Sequence, residues 1–262
     1  MIKAIFFDID GTLVSFRTHE IPESTKKALQ QLKEKGIKLF IATGRSPAQL
    51  EFFQNQAEPV FDGFITMNGQ YCYNDKEVIR EQCLDRQDLI HLLPYLEENQ
   101  EIGSSFVELD YVYFNHMTKG IQKMWDSLGK TAPKLNFDSP NRVFEHKTYQ
   151  LSTYIPKEEE AEFFKYMPNC KSTRWHPDFM DVIPKNGGKI VGIQAVCQYY
   201  GIEQDEIMAF GDGGNDIEML QYANIGVAMG NATEDVKAVA DFVTKDIDED
   251  GILFGLEQFG VL

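Results

Sequence analysis

Short apolar runs alternate with amphipathic helices at the start of this chain, and the same rhythm returns at its end. Ala4–Phe7 is apolar throughout, as a strand covered on both faces must be. Pro22–Lys35 carries Ala28, Leu29 and Leu32 on one helical face and is stopped by Gly36. IKLFIATGR is the next strand, a helix is expected near Pro47–Asn55, and GFITMNG is the third strand. Beyond Gly188 the residues Ile190, Ile193, Val196, Cys197 and Tyr200 form a helical stripe. DEIMAFGD, NIGVAMG and DFVT then read as strands, with helices expected near Asp216–Tyr222 and Thr233–Val239. This alternation restricts the fold to an α/β class: a Rossmann-like parallel sheet with right-handed crossovers.

The middle of the chain breaks the rhythm. SSFVELDYVYFNH reads as a hairpin turning near Leu109–Asp110, HKTYQLSTYIP as a strand, and STRWHPDFMDVIP as two strands around His176–Asp178. Helices are expected over Arg86–Glu98, Met117–Leu128 and Lys157–Tyr166. Paired strands and runs of helices describe an inserted α+β module. The expected organisation is an α/β domain of residues 1–81 and 186–262 and an inserted α+β module of residues 82–185. The late DIDEDG stretch is read as a solvated acidic loop.

Composition removes several function classes. The net charge is −16 and no Lys/Arg cluster is present, so nucleic acid is not an expected partner. No apolar run approaches the roughly 20 residues of a membrane span, and acids follow the first apolar run at once. A cytoplasmic protein with no membrane partner, monomeric or weakly homo-oligomeric, is expected. Cys72, Cys83, Cys170 and Cys197 form no C-x-x-C pair and suggest scattered reduced thiols.

In an open parallel sheet, ligands bind beyond the carboxyl ends of the strands. There the chain places Asp8 and Asp10, then Thr43-Gly44-Arg45, then Asn68-Gly69, then Gly211-Asp212 followed by Asn215 and Asp216. Lys189 opens the helix that feeds the last of these strands. Taken singly, each is an ordinary turn, cap or surface residue. Together they deliver acids, a hydroxyl and cations to one edge. Neither G-x-G-x-x-G after the first strand nor a P-loop is present, which sets aside both nucleotide-binding readings. Asp8 and Asp10 share one side of the strand and repel each other unless a cation intervenes. With Asp212 they make a hard oxygen set that suits Mg²⁺.

In order, DIDGT, ATGR, Lys189 and GDGGND resemble the four motifs of the haloacid dehalogenase superfamily. The tail IGVAMGNATEDVKAVADFVTKDIDEDGI is similar to its Cof-type phosphatases, sugar-phosphate phosphatases among them. The resemblance implies that Mg²⁺ is held by a side-chain oxygen of Asp8, the backbone carbonyl of Asp10, and Asp212. It implies that Asp8 attacks phosphorus to give an aspartyl-phosphate, and that Asp10 protonates the leaving oxygen and then deprotonates water. Thr43 would hold a phosphoryl oxygen, Asn215 a phosphoryl oxygen or Lys189, Lys189 would neutralise charge on Asp8 and the phosphoryl group, and Asp216 would orient its neighbours. Lys185 is a rival for the lysine role, and the start of an amphipathic helix favours Lys189. An insert in this position resembles a C2 cap, its helix-and-paired-strand reading subclass B, whereas the sugar phosphomutases of the superfamily carry theirs earlier.

Gly44, Arg45, Asn68 and Gly69 are further expected substrate contacts. In the cap, Arg174, Trp175, His176 and Asp181 are candidates for reading a sugar's hydroxyls, against the alternative of a β-turn with a packed Trp. The expected function is Mg²⁺-dependent hydrolysis of a small phosphorylated metabolite, a sugar phosphate foremost. The alternatives are a phosphotransferase or mutase on the same scaffold, and a silent phosphometabolite-binding regulator.

Overall fold

A computed structural model of the chain describes residues 1–54, 56, 60–129 and 132–262. In chain order the elements are β1 (Ala4–Phe7), α1 (Glu23–Glu34), β2 (Lys38–Ala42), α2 (Glu51–Gln54), β3 (Gly63–Thr66), β4 (Tyr71–Tyr73) and β5 (Val78–Glu81). Next come α3 (Arg86–Glu98), β6 (Ser104–Val107), β7 (Val112–Phe114), α4 (Lys119–Leu128), β8 (Gln150–Thr153), α5 (Glu160–Phe163), β9 (Cys170–His176) and β10 (Phe179–Pro184). The chain closes with α6 (Lys189–Tyr200), β11 (Ile207–Gly211), α7 (Ile217–Tyr222), β12 (Ile225–Ala228), α8 (Glu234–Lys237), β13 (Phe242–Val243) and α9 (Gly251–Gln258). The Asn55 end of the expected second helix lies outside the described residues.

The larger sheet has the strand order β13-β12-β11-β1-β2-β3-β4-β5. Its strands are parallel from β13 to β3, and β4 and β5 then add an antiparallel hairpin. That hairpin is absent from the sequence reading, as is α9. Strand β1 is central, and its alternate residues feed two separate cores. Ile5 and Phe7 pack with Leu29, Leu32 and Leu256 on one face. Ala4 and Phe6 pack with Ile193 and Val196 on the other. A strand buried on both faces must be apolar at every position, which is why the run reads AIFF.

The smaller sheet is antiparallel with the order β7-β6-β8-β10-β9. Its strands alternate. Phe106, Leu151, Met180 and Val182 point into a core shared with Leu89, Leu92 and Leu96 of α3. The intervening residues Ser105, Val107, Gln150, Ser152, Phe179 and Asp181 line a cavity instead. Period-two alternation with Ser, Gln and Asp normally marks a solvent face, yet Ser105, Gln150 and Asp181 are almost fully buried. The larger sheet covers them. No helix among the described residues is long and apolar enough to cross a membrane.

Candidate active site

The carboxyl ends of β1, β2 and β11 and the start of α6 meet at one side of the larger sheet. Asp8 follows β1 directly, and its amide still donates to Phe210 O across to β11 (3.1 Å). Thr43 follows β2, and its amide donates to Ile65 O of β3 (2.8 Å). Asp212 follows β11. Asp8 and Thr43 therefore leave a backbone that remains tied to a neighbouring strand, whereas the Asp212 amide is held by Asp216 Oδ2 (3.0 Å).

Lys189 is the centre of the arrangement. Its side chain is completely buried at the first turn of α6. The Nζ donates to Asp8 Oδ1 (2.5 Å) and to Asp216 Oδ1 (2.6 Å). Burial disfavours its charge, but the carboxylates of Asp216 and Asp8 outweigh that penalty and hold its pKa above the ordinary lysine value. Lys185 is exposed, with its backbone amide on Asn169 O (2.9 Å), so the lysine that reaches the acids is Lys189.

Asp8, Asp212 and Asp216 bring carboxylate oxygens within 4.8 Å of one another. Asp216 has both oxygens engaged, since Oδ2 also accepts the amides of Asp212 and Gly213 (3.0 Å each). Asp212 Oδ1 accepts from Thr12 Oγ1 (2.6 Å). Asp8 is pushed up to about 7, first by burial and then by the charges of Asp216 and Asp10, with Lys189 opposing. Asp212 is held well above the ordinary carboxylate range by burial and by Asp8 and Asp216. Three acids around one lysine leave a formal charge of −2, which one divalent cation cancels. The donor set is all oxygen, as Mg²⁺ requires. Space is also kept open for it: a Cβ on Gly11, whose φ is +90°, would lie 2.2 Å from Asp212 Oδ2. The residues present fit the cation, with Asp8 and Asp212 supplying side-chain oxygens and Asp216 fixing the loop that carries Asp212.

The Asp10 carboxylate lies outside this cluster; the cation contact expected of this residue is its backbone carbonyl. Both carboxylate oxygens accept from the Arg45 fork, Nε to Oδ2 and Nη2 to Oδ1, at 2.7 Å each. Thr43 Oγ1 accepts the Arg45 amide (3.1 Å), which leaves the hydroxyl proton to donate.

A cavity of about 420 Å³ opens from these groups toward the smaller sheet. Asp8, Asp10, Thr43, Gly44, Arg45, Asp212 and Asn215 line one side of it, and Trp175, His176 and Asp181 the other. The remaining wall is largely apolar and includes Phe114, Trp125, Tyr154 and Phe179. Burial pushes Asp181 up to about 6, while hydrogen bonds from Ser152 and Asn68 pull the other way. Burial holds His176 below the ordinary histidine value.

Three of the expected contacts lie elsewhere. Arg174 is not on the cavity: its guanidinium donates to Glu160 and to the carbonyls of Pro177 and Ile155 (2.9 Å each), so its donors are engaged within the cap. Asn68 is buried behind the cavity wall, where it bonds to side chains that line it. Gly69 occupies the adjoining turn against the Gly188 backbone. Conversely, Thr12 and Gln150 were not singled out as site residues. Thr12 belongs to the DIDGT motif, whereas Gln150 sits in an unremarkable strand.

The model of the haloacid dehalogenase-like hydrolase family matches residues 5–256. This chain is a member of that family. The subclass IIB sugar phosphatase BT4131 is 42% identical, with a TM-score of 0.91 over 99% of this chain and 100% of that one. The phosphatase BT1666 from Bacteroides thetaiotaomicron is 37% identical, with a TM-score of 0.89 over 100% of this chain and 96% of that one. YkrA of Bacillus subtilis (strain 168), which bears a provisional phosphatase name, is 34% identical over 99% of this chain and 98% of its own length.

Proposed function

We propose that the chain is a Mg²⁺-dependent phosphatase of small phosphomonoesters, sugar phosphates foremost, with residues 1–81 and 186–262 as its catalytic core and residues 82–185 as its cap. The observation that carries this reading is Asp8. Its carboxylate lines the cavity with one oxygen held by a buried lysine and the other without a hydrogen bond among the described residues. That is the arrangement of an oriented nucleophile whose charge is balanced from behind. The sugar phosphatase at 42% identity supports the substrate class.

Hydrolysis of a phosphate monoester requires an enzyme to remove on the order of 20 kcal/mol, more than any one group supplies. The division of labour proposed is as follows. Asp8 forms a bond from its free oxygen to phosphorus as the bond to the leaving oxygen breaks, giving an aspartyl-phosphate. Asp10 gives a proton to the leaving oxygen and takes one from the water that then cleaves the aspartyl-phosphate. The Arg45 fork holds the Asp10 carboxylate at the cavity, and Asp10 must exchange one of those bonds for the leaving oxygen. Thr43 and Asn215 donate to phosphoryl oxygens, and Lys189 keeps Asp8 oriented and ionised. When bound, Mg²⁺ adds electrostatic stabilisation of the phosphoryl charge.

Phosphate release from a panel of sugar phosphates, measured with Mg²⁺ and with excess chelator, tests the reading. Turnover that needs the cation and disappears in Asp8→Asn supports it. No release from any ester by the purified wild type, or full activity in chelator, refutes it.

A further inference from the structure

Asn68 lies off the cavity, yet its side chain is the junction between the two sheets. The Nδ2 donates to Gln150 Oε1 (2.9 Å) on β8 and to Asp181 Oδ2 (3.0 Å) on β10. The Oδ1 accepts from Asn215 Nδ2 (3.1 Å), in the loop that follows Asp212. Its amide donates to Thr43 O (2.9 Å). Two bonds therefore reach the smaller sheet and two reach the phosphate-facing loops of the larger one. The cap partners are themselves braced. Gln150 Nε2 donates to Gly44 O (3.2 Å), and Ser152 Oγ donates to Asp181 Oδ1 (2.7 Å).

The backbone at this point is strained. Met67 and Asn68 both have positive φ, 51° and 52°, and the preceding residues of β3 are regular strand. Two consecutive non-glycine residues in the left-handed region persist only where surrounding bonds over-determine them. Here those bonds are the amides of Met67 on Arg45 O and of Asn68 on Thr43 O (2.9 Å each), together with the contacts of the Asn68 side chain, which is 1% exposed. The junction also demands a close approach, since a Cβ on Gly44 would lie 3.2 Å from Asn68 Nδ2 and 3.3 Å from Asp181 Oδ2.

We propose that Asn68 is a positioning residue that couples the seating of the cap sheet, through Gln150 and Asp181, to the orientation of Asn215 and the Thr43 turn. Filling the cap cavity with a leaving group braces Gln150 and Asp181, and Asn68 passes that bracing to the phosphate-holding groups. The coupling rests on the phosphatase reading for its kinetic expression, but not for its structural one.

The geometry supplies its own control. In Asp181→Asn the new amide can accept from Asn68 through Oδ1 and donate to Ser152 Oγ, so the junction survives. In Asn68→Asp two carboxylates face each other and the junction breaks. The double variant N68D/D181N restores the bond to β10 with donor and acceptor exchanged, whereas Gln150 Oε1 still faces a carboxylate.

The kinetic readout is the ratio of kcat for a hexose 6-phosphate, whose leaving group is a full sugar ring, to kcat for acetyl phosphate, whose leaving group is only acetate. The expected result is a fall in this ratio of about tenfold or more in Asn68→Asp, with partial recovery, by about threefold or more, in N68D/D181N. A merely structural role lowers both rates together through the folded fraction and leaves the ratio unchanged.

The second readout is amide hydrogen exchange at Thr43–Arg45 and Gly213–Asp216, which needs no turnover. Exchange in both segments is expected to quicken in Asn68→Asp and to slow again in the double variant. An unchanged ratio with unchanged exchange, or a folded double variant that recovers neither, overturns the coupling. Altered exchange in an enzyme that hydrolyses no ester supports the coupling and refutes the phosphatase reading alone.

Discussion

Removing the cation should make the stability of this protein fall as pH rises, and the size of the fall can be worked from Asp8. Its carboxyl is pushed up to about 7 by burial and by neighbouring carboxylates, against 3.8 for an ordinary aspartate. A group whose folded pKa is raised binds its proton more tightly in the folded state. The stability it contributes is complete below the unfolded value and is lost as pH climbs through the folded one. Between about pH 5 and pH 8 without metal, Asp8 alone should cost about 3 kcal/mol of unfolding free energy. Asp212 shifts in the same direction and adds to it. Mg²⁺ binds the ionised acids, so it should restore most of the loss near pH 8 and almost none near pH 5. The assay is urea denaturation at both pH values in EDTA and in saturating Mg²⁺, on wild type and on Asp8→Asn. The variant should lose the Asp8 share of the pH dependence and most of the Mg²⁺ effect, and keep the share that burial of Asp212 supplies. A metal-free stability that is flat or rises from pH 5 to pH 8, or an undiminished slope in Asp8→Asn, would refute the reasoning.

Asp8→Asn should also reduce phosphate release to below about one-thousandth of wild type, and retention of a tenth of the activity would reject Asp8 as the nucleophile. Gly11→Ala forces a Cβ toward Asp212 Oδ2 and an L-residue into φ +90°. Its calorimetric Mg²⁺ affinity should drop about tenfold or more, and unchanged affinity would mean that Asp212 is not a ligand. Arg45→Lys replaces a two-pronged hold on Asp10 with a point charge, so kcat should fall by about tenfold or more while the fold, followed by circular dichroism, is kept. Trp175→Ala removes an aromatic wall of the cavity and should reorder preference among sugar phosphates more than it changes turnover of a small aryl phosphate.

The parallel sheet was legible because its strands are short and uniformly apolar, and because each ends on a residue with chemistry. The cap strands were legible from their alternation. The hairpin of β4 and β5 was missed because Tyr71–Tyr73 and Val78–Glu81 mix aromatic, aliphatic and charged residues, and only the turn at Asn74-Asp75 signals it. The site divides in the same way. Positions at strand ends follow from topology, so Asp8, Thr43 and Asp212 could be placed from the sequence. Side-chain partners do not follow, because they depend on how the two sheets face each other. Arg174 offered the right chemistry on the right hairpin, but Glu160, more than a dozen residues upstream, claims its guanidinium. Asn68 looked like a pocket residue, and only the approach of Gln150 and Asp181 shows it serving between the sheets.

The chain leaves the larger sheet after β5 and returns to it at α6, and these crossings lie side by side. Gln82 on the way out donates to Asn186 on the way back. Everything between them is, for the larger sheet, a loop whose ends already touch. The entropy of closing such a loop grows only with the logarithm of its length, so lengthening it adds little. Strand β1 cannot gain its partner β11 until that whole excursion has been made. The smaller sheet pairs only with itself, and its early collapse would bring the two crossings together before β11 arrives. The segment that forms the second wall of the cavity would then also act as a clasp that shortens the longest search the chain has to make.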